Sequence, residues 1–505
     1  MSSNPESAAL EQTPPPAGGA TAATASREAL APWQWTLLVG FGAFAIAMAF
    51  ASRLIRDGDT HLHIAAGRWM IAHLSVPSAD PFSYTFRGKP WVPHEWLSEV
   101  IYATSYALLG WGGVIATTGL AIFTAFALMA RALSRWLAPA LPALAATLAL
   151  IMFEAHLLAR PHLLAAPLMV LYVSCLIDAR DRSRAPSFAL LPLMVVWANI
   201  HGSFLVGVGF AVLLGLEAVW EAAPADRIRV AREWGLYALL AALAALISPN
   251  GIESYLLPLK LMTMKFAMAW LTEWHSTDFS SFPPLEGWLF IALFGATFIG
   301  LKLPVSRILM ILLLLHMALS HERNTELLGF LSPLLIAKPL ALHLRALGGK
   351  ARALGLDGTL PSMPRRAAAV TTLAIVLGYF GTAFAFDLGG FHPNGRVAPE
   401  AALAAVRNAG ITGHVLNSEV LGGFLIFEGV PPFIDGRADM YGDDFMMRFK
   451  IARDRSPDEL AKLLKEYDVT WTIFPPDTEA VKFIDAMPGW TRLYSDENVV
   501  VQYRK

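Results

Sequence analysis

The stretch that decides the fold lies near the start of the chain, where an apolar run is followed at once by acids and histidines. The apolar run, at residues 33–51, reads WQWTLLVGFGAFAIAMAFA, and the polar cluster, at residues 57–63, reads DGDTHLH. A predominantly apolar run of this length can cross the hydrocarbon core of a bilayer as a helix. The sequence therefore predicts a membrane span with acid–base side chains at one end.

The whole chain has the composition of a polytopic membrane protein. Of its 505 residues, 55% are hydrophobic and only 16% are charged, and its mean hydropathy is +0.49. This is more apolar surface than a soluble core needs. The net charge of −1 gives no reason to expect a nucleic acid as partner. The only cysteine, Cys175, excludes disulfides within the chain and thiolate metal cages.

Composition divides the chain into three parts. Residues 1–32 have the composition of a disordered tail, residues 33–386 hold the apolar segments, and residues 387–505 resemble a soluble domain. We predict about eleven spans, at residues 33–52, 97–131 (one long or broken element), 138–158, 163–177, 187–200, 203–221, 233–248, 285–301, 306–320, 326–345 and 367–386. The fold class is thus a polytopic α-helical membrane protein with a small C-terminal α/β domain.

The C-terminal part shows strand and helix patterns in alternation, which is typical of an α/β domain. Short apolar runs predict strands at residues 414–417, 424–427, 433–435, 469–474 and 499–503. Ser456 and Glu459 have the spacing of a capping box, with Pro457 at the first helical position.

The distribution of basic residues predicts the orientation. Short cytoplasmic loops carry an excess of Lys and Arg, and here the basic residues concentrate on alternate loops, at Arg131, Arg135, Arg180, Arg182, Arg184, Arg227, Arg229, Arg232, Lys302, Arg307, Lys338, Arg345, Lys350, Arg352, Arg365 and Arg366. These loops and the N-terminal tail are predicted to face the cytoplasm of a bacterial plasma membrane. The large loop 53–95 and the domain 387–505 then lie on the outer face.

The distinctive polar residues fall on the predicted outer-face loops. They are Asp57, Asp59, His61, His63, His94, Glu95, Arg160, His162, Asn199, His201, Glu273, His321 and Arg323. Each has a plainer interpretation: the two aspartates could cap the next helix, the His94 segment could anchor at the interface, and Asn199 could serve helix packing. His61 and His63 could bind a metal from one face of a strand, but on a helix they would diverge. Their common face favours one shared polar cavity.

Carboxylates, imidazoles and arginines at a membrane surface suit glycosyl transfer from a lipid-linked sugar phosphate. Arginine binds phosphate bidentately, and a carboxylate can take the proton of the acceptor hydroxyl. No nucleotide-binding glycine loop is visible. We expect Asp59 to be the general base, because it follows a glycine, precedes a predicted helix and lies just outside a span, with Asp57 as its neighbour.

An ordered series of motifs carries a resemblance over nearly all of the chain from Trp33 onward. The motifs are GDTHLHIAAGRWMIAH, PSADPFSYTFRGKPWVPHEWLSEV, ARPH, WANIHG, SPNG, TEWHSTDF and FIDGRADMYGDDF. They resemble a family of bacterial multispanning membrane proteins and, more distantly, the GT-C membrane glycosyltransferases, among them protein O-mannosyltransferases, aminoarabinose transferases and oligosaccharyltransferases. The resemblance implies a catalytic or metal-binding carboxylate in the first outer loop, at Asp57 or Asp59, and a polyprenyl-phosphate-linked sugar as donor.

The resulting hypothesis is a glycosyltransferase on the outer face that acts on a glycan, lipid or protein acceptor. His94 and Glu95 would orient the acceptor or Asp59, and Arg160 and Arg323 would hold the donor phosphate. The other binding residues would be His61, His63, His162, Asn199, His201, Glu273 and His321, with Arg437 and Asp439 of the outer domain closing over the acceptor. No cofactor is firmly implied and no metal ligand is assigned, although a divalent cation could assist. The alternatives are a transporter or lipid flippase that uses the same ionisable residues, and a scaffold of an envelope polysaccharide complex.

Overall fold

A computed structural model describes residues 32–271, 274–348 and 366–505 of the protein. Helices of its N-terminal part are α1 (Pro32–Ala49), α2 (Ala51–Leu54), α3 (Asp59–His73), α4 (Trp96–Leu133), α5 (Ala140–Met152), α6 (Pro161–Asp181), α7 (Leu191–Ile200), α8 (Phe204–Glu221), α9 (Arg227–Ala244), α10 (Glu253–Thr263), α11 (Lys265–Trp270), α12 (Pro284–Ile299), α13 (Val305–Ser320), α14 (Thr325–Leu347) and α15 (Arg366–Leu388). The predicted N-terminal tail lies almost wholly outside the described residues.

Apolar helices dominate this N-terminal part, as predicted. Within the described ranges, four are long and apolar enough to cross a membrane: Trp96–Leu133, Pro161–Asp181, Phe204–Glu221 and Glu322–Leu347. Six shorter apolar helices accompany them, at Gln34–Ala49, Ala140–Met152, Phe188–Ile200, Pro284–Ile299, Val305–Ser320 and Leu373–Leu388. Each of the eleven predicted segments overlaps a helix. The number of helices that cross the bilayer, and their direction, stay predictions.

Helix α4 is the centre of the N-terminal part. It packs against α1, α3, α6 and α15. Two of its residues are not helical, Leu109 (φ −142°) and Gly110 (φ +56°), so the prediction of a long or broken element is confirmed. A Cβ atom on Gly110 would lie 2.6 Å from Oδ1 of Asp387. Glycine at the break therefore allows the left-handed backbone and the close approach of α15.

The C-terminal domain (residues 387–505), which the sequence predicts on the outer face and which we therefore call the outer domain, contains a four-stranded mixed sheet and five helices in the described residues. Its elements are α16 (Glu400–Asn408), β1 (His414–Asn417), α17 (Glu419–Phe427), α18 (Ala438–Asp454), α19 (Pro457–Glu466), β2 (Val469–Phe474), α20 (Glu479–Asp485), β3 (Trp490–Ser495) and β4 (Val500–Arg504). The strand order is β1-β2-β4-β3, with β1 and β2 parallel and the other two pairs antiparallel. The small α/β domain is thus present.

Two of the five predicted strands are wrong. The run 424–427 belongs to helix α17, whose buried Phe424 and Leu425 pack with the sheet while Ile426 packs against α3. A segment that is apolar on both sides cannot be identified as strand or helix by periodicity alone. The run 433–435 is a loop, in which the Phe433 N–H donates to Oδ1 of Asn417 at 2.8 Å. The strand Trp490–Ser495 was not predicted.

Half of the predicted capping box of α19 is confirmed, because Ser456 caps the helix but its own N–H donates to the Ile451 carbonyl and not to Glu459. The Ser456 hydroxyl accepts a hydrogen bond from the Glu459 N–H at 3.2 Å, and Pro457 is the first helical residue. The carboxylate of Glu459 binds Arg448 at 2.8 Å. The helix therefore begins where the sequence predicted.

Candidate active site

The loop that carries Asp57 and Asp59 is tied to the loop that carries Arg160. The Thr60 hydroxyl, at the start of α3, donates to the Ala159 carbonyl at 3.2 Å. Thr60 and Ala159 are both fully buried, so this hydrogen bond is shielded from water. Two loops that are about a hundred residues apart in the chain therefore meet at one point.

Arg160 connects the two aspartates. Its backbone is extended (φ −126°, ψ 162°), as is favoured before proline, and Pro161 begins α6. Its Nε donates to Oδ2 of Asp57, and its Nη2 donates to Oδ2 of Asp59 at 2.6 Å. Oδ1 of Asp57 also accepts the Asp59 N–H at 3.3 Å, which is the local capping contact that the sequence left open.

Asp59 is the more accessible of the two carboxylates. Its side chain is 29% exposed, against 17% for Asp57 and 21% for Arg160. Both acids therefore sit in a partly desolvated site, where an ion pair is less screened than at an open surface. An incoming group could reach Asp59 more readily than Asp57.

The outer domain packs directly on this loop. A Cβ atom on Gly58 would lie 2.0 Å from the Val420 carbonyl oxygen, and one on Gly423 would lie 2.3 Å from the Gly58 carbonyl oxygen. A Cβ atom on Gly436 would lie 2.1 Å from Oδ1 of Asp59. Gly58 and Gly423 thus let two backbones approach to distances that a Cβ atom would forbid. Gly436 lies equally close to the Asp59 side chain, and the outer domain forms one wall of the site.

His63 lies on α3 beside the aspartates and is buried against α4. Its Nδ1 is 3.4 Å from Oε1 of Glu99. Burial by itself lowers the pKa of His63, but the hydrogen bond to Glu99 and the charges of Glu95, Glu99 and Asp59 outweigh it and raise the pKa above its ordinary 6.5. His63 therefore interacts electrostatically with both Asp59 and Glu95.

Glu95 and His201 form the next part of the wall. Nδ1 of His201 accepts the Ser203 N–H at 3.1 Å, so in the neutral ring the proton is on Nε2, which lies 3.3 Å from Oε1 of Glu95. Nε2 of His94 is 3.6 Å from the same oxygen. Glu95 therefore contacts imidazoles from two different loops. That His94 and Glu95 orient the acceptor or Asp59 stays a prediction.

The charges around Glu95 keep it ionised. Burial raises the pKa of its carboxyl, but the neighbouring cationic groups outweigh burial and hold the pKa below its usual value. In order of effect these groups are His94, His201, His63 and Arg323. Residues predicted on four separate outer-face motifs are thus close enough to interact electrostatically.

Asp439 brings the outer domain into this second cluster. Burial raises the pKa of its carboxyl, and the charges of His94, Arg437 and Lys260 only partly counter the effect. The Lys260 ammonium donates to the Asp439 carbonyl at 2.9 Å. Asp439 therefore lies near His94, opposite the first outer loop.

The side chain of Arg437 is buried and bound by carboxylates of this protein. It is 5% exposed and its Nε and Nη2 donate to Oδ1 and Oδ2 of Asp435 at 2.7 and 2.6 Å. Its Nη1 donates to Oδ1 of Asp80 at 2.7 Å, and the guanidinium lies 4.7 Å from the centre of the Trp91 ring. Arg437 thus fastens the outer domain to loop 53–95.

His61 points away from the aspartates into aromatic side chains. On helix α3 the side chains of His61 and His63 point in different directions, as the sequence predicted if this segment were helical. The ring of His61 lies 4.9 Å from Trp111 and 5.3 Å from Phe427. Burial lowers the pKa of His61 to about 4, and the charge of Asp57 opposes this only weakly. His61 therefore packs as a neutral ring.

Asn199 and His162 lie at the edge of the site. Nδ2 of Asn199 donates to the carbonyls of Val195 and Ile247, and its Oδ1 accepts from Trp96 Nε1 at 2.7 Å, which is the helix-packing role left open by the sequence. Nε2 of His162 donates to the carbonyl of residue 156 at 2.9 Å.

Arg323 and His321 face the loop before α12. The Arg323 guanidinium lies 4.4 Å from the centre of the Trp274 ring, and Nδ1 of His321 donates to the Trp274 carbonyl at 2.7 Å. Glu273, predicted as a further binding residue, lies outside the described residues. In the described part of the chain, no group of three or more His, Cys, Asp or Glu side chains is placed to hold a metal ion.

Comparison with known proteins shows similarity to several solved structures. The structure is similar to ArnT from Cupriavidus metallidurans bound to undecaprenyl phosphate, with 14% identity, 94% of this chain and 98% of that chain covered, and a TM-score of 0.49. The apo state of the same enzyme has 17% identity, 93% and 97% coverage and a TM-score of 0.45. An oligosaccharyltransferase of Archaeoglobus fulgidus in the apo form has 10% identity, 86% and 69% coverage and a TM-score of 0.48.

No protein-family model and no curated protein matches the sequence. The sequence predicted a resemblance to GT-C enzymes of the aminoarabinose transferase and oligosaccharyltransferase kinds, and enzymes of both kinds are among the similar structures. The functional argument below rests on the side chains of this protein.

Four residues of the site escaped the sequence analysis. Glu99 pairs with His63, and Asp80 pairs with Arg437. Asp435 binds Arg437 and Lys260 binds the Asp439 carbonyl, and both contacts hold the outer domain. Glu99 had a usable signal, because a carboxylate inside an apolar segment is costly and tends to have a partner. Asp80 had the weaker signal of a turn, since it accepts the N–H groups of residues 82 and 83.

Proposed function

We propose that the protein is a membrane glycosyltransferase that moves a sugar from a polyprenyl-phosphate donor to a glycan, lipid or protein acceptor at the outer face. The observation that supports this most directly is the guanidinium of Arg160, which binds Asp57 and Asp59 together at the mouth of the helical part. The reaction needs a cation for the donor phosphate and a carboxylate base near the same anomeric carbon. The contact between Arg160 and Asp59 supports the assignment of these two roles.

In the proposed reaction Asp59 takes the proton of the acceptor hydroxyl. The hydroxyl oxygen then forms a bond to the anomeric carbon, while the bond from that carbon to the phosphate oxygen breaks. The electron pair leaves with the polyprenyl phosphate, whose charge a guanidinium can stabilise by two parallel hydrogen bonds. Atoms and charge balance without a further reactant.

Arg160 would couple donor binding to the activation of Asp59. A donor phosphate competes with Asp57 and Asp59 for the same guanidinium, because all three are oxyanions that bind it in the same plane. Loss of the cation from Asp59 would make that carboxylate a stronger base. The site would then gain its base only when the donor is present.

The second cluster would bind the acceptor. Glu95, His94 and His201 face the aspartates across His63, and Asp439 approaches from the outer domain. These groups offer both donors and acceptors of hydrogen bonds, as sugar hydroxyls require. An apolar groove of about 580 Å³, lined by Trp96, Leu97, Val196 and Leu246 among others, lies beside them and suits a polyprenyl chain.

The test is a gene deletion complemented with Asp59→Asn and with Asp444→Asn as matched control, since Asp444 is an exposed carboxylate of the outer domain. Mass spectrometry of lipid extracts should find a polyprenyl-phosphate-linked sugar that accumulates in the deletion and with Asp59→Asn, but not with Asp444→Asn. Full complementation by Asp59→Asn would refute the mechanism.

The transport alternative makes a different prediction. A transporter needs ionisable groups at both ends of the membrane part, and a second group of buried ion pairs does exist at the end far from Asp59, around Arg307. Purified protein in liposomes should therefore be assayed for lipid or solute movement as well. Movement that survives Asp59→Asn would favour the transporter.

A further inference from the structure

A second polar cavity lies far from the candidate active site. Helix α6 begins beside Arg160 and ends at Asp181 after 21 residues. At a rise of about 1.5 Å per residue its two ends are roughly 30 Å apart, which is about the thickness of the hydrocarbon core. A cavity of about 360 Å³ surrounds the Asp181 end. It therefore sits at the opposite membrane surface, the one predicted to face the cytoplasm.

Buried ion pairs form the floor of this cavity. Arg307 is 3% exposed. Its Nε donates to Oε1 of Glu217 at 3.0 Å and its Nη2 donates to Oδ1 of Asp181 at 3.1 Å. Arg180 is also buried, with Nε 3.3 Å from Oε1 of Glu217 and Nη2 donating to Glu221. The two arginines of the floor are thus paired with three carboxylates, as buried charges require, and the two lysines of the lining bring the net charge to +1.

The rim of the cavity keeps a positive charge. The lining contains four Lys or Arg side chains and three Asp or Glu side chains, so one positive charge is in excess before His343 is counted. Lys302 is exposed and makes no ion pair in the part of the chain that the structure describes. Lys338 donates to the Asp181 carbonyl at 2.5 Å, and its carboxylate contact is long, at 3.9 Å.

Apolar groups share the lining with these charges. Pro304, Pro339 and Leu342 contact the same cavity, and Leu342 is 52% exposed on the outside of α14. A ligand at this place therefore meets a cationic rim and an apolar flank at once. A soluble anion would gain no binding free energy from the apolar side chains of the lining.

We propose that this cavity binds the phosphodiester headgroup of an anionic membrane lipid. A phosphodiester carries one negative charge, which matches the single excess positive charge of the lining. Lys302 and Lys338 lie where the headgroup would be, and the acyl chains would run along Leu342. Lys and Arg at this depth attract anionic headgroups.

The test uses the purified full-length chain in detergent and native mass spectrometry. Phosphatidylglycerol should remain bound as one molecule per chain at lipid concentrations where zwitterionic phosphatidylcholine does not. Lys302→Gln should weaken phosphatidylglycerol binding about fivefold, since one cation near the surface is removed. Arg232→Gln is the matched control, because Arg232 is an exposed basic residue on the same predicted face but outside the cavity.

Three results would overturn the proposal. They are equal retention of the two lipids, an unchanged affinity in Lys302→Gln, and displacement of phosphatidylglycerol by the soluble headgroup glycerophosphoglycerol at equal concentration. The last result would assign the site to a soluble phosphodiester. Because binding is measured directly, none of these results depends on whether the protein transfers sugars.

Discussion

Gly436 of the outer domain lies against the carboxylate of Asp59, so closely that a Cβ atom on Gly436 would be 2.1 Å from Oδ1. Non-bonded atoms do not approach to that distance. The outer domain therefore needs a glycine here for the site to close. The contact also means that the preferred base is positioned by a residue almost four hundred positions away in the chain.

Gly436→Ala should displace Asp59 and lower sugar transfer by on the order of 100-fold, the effect expected for a shift of about 1 Å in a catalytic group. Transfer from the accumulated lipid-linked sugar is the measurement. Gly295→Ala is the control, because Gly295 on α12 has no atom within 4 Å of a Cβ. Wild-type transfer by Gly436→Ala would show that Asp59 is not held by this contact.

Arg437→Met should detach the outer domain from loop 53–95. The change leaves the buried carboxylates of Asp80 and Asp435 without their cation, which costs about 3–5 kcal/mol. A lower midpoint of thermal unfolding in detergent and new protease cleavage between the two parts are the expected readouts.

The control for Arg437→Met is Arg492→Met. Arg492 pairs with Asp485 at the surface, where its side chain is 49% exposed, so its loss should change the free energy of unfolding by no more than about 1 kcal/mol. Equal effects of the two substitutions would contradict the fastening role of Arg437.

His61→Phe should make the protein less sensitive to acid. Because the pKa of His61 falls from 6.5 to about 4 on folding, the unfolded chain binds a proton between these values that the folded chain does not. The free energy of unfolding therefore decreases as the pH falls below 6.5, by about 2 kcal/mol at pH 5. Phenylalanine suits the surrounding Trp111 and Phe427 rings and cannot be protonated.

The measurement is the thermal unfolding midpoint at pH 7, 6 and 5 for the wild type, His61→Phe and the exposed control His73→Phe. Only His61→Phe should flatten the loss of stability with falling pH. An unchanged slope would mean that His61 takes up its proton in the folded state.

The two substitutions of His201 should differ. Glutamine can place an amide N–H where Nε2 faces Glu95, whereas asparagine is too short to do so. We expect His201→Gln to retain transfer within about tenfold of wild type and His201→Asn to lose about 100-fold, as when an acid–base partner is removed. Equal losses would show that the contact at 3.3 Å with Glu95 does not matter.

Much of the site could be predicted because its residues are unusual where they stand. Asp57, Asp59, Glu95 and Arg160 are charged groups next to apolar segments, and the alternation of basic loops predicted that they share one face. Their roles could not all be assigned. Arg437 looked like a binding residue, but three of its nitrogens are occupied by Asp80 and Asp435, and His61 packs among aromatic rings.

The amino-acid sequence by itself determined the apolar helices, the cap of α19 and three of the sheet strands, because these depend on local composition and spacing. Tertiary structure alone decided which polar groups meet. Arg160 reaches Asp57 and Asp59, and Gly436 reaches Asp59, only because two loops and a separate domain pack together. Such contacts depend on distances between backbones that are remote in the chain, and no local pattern encodes those distances.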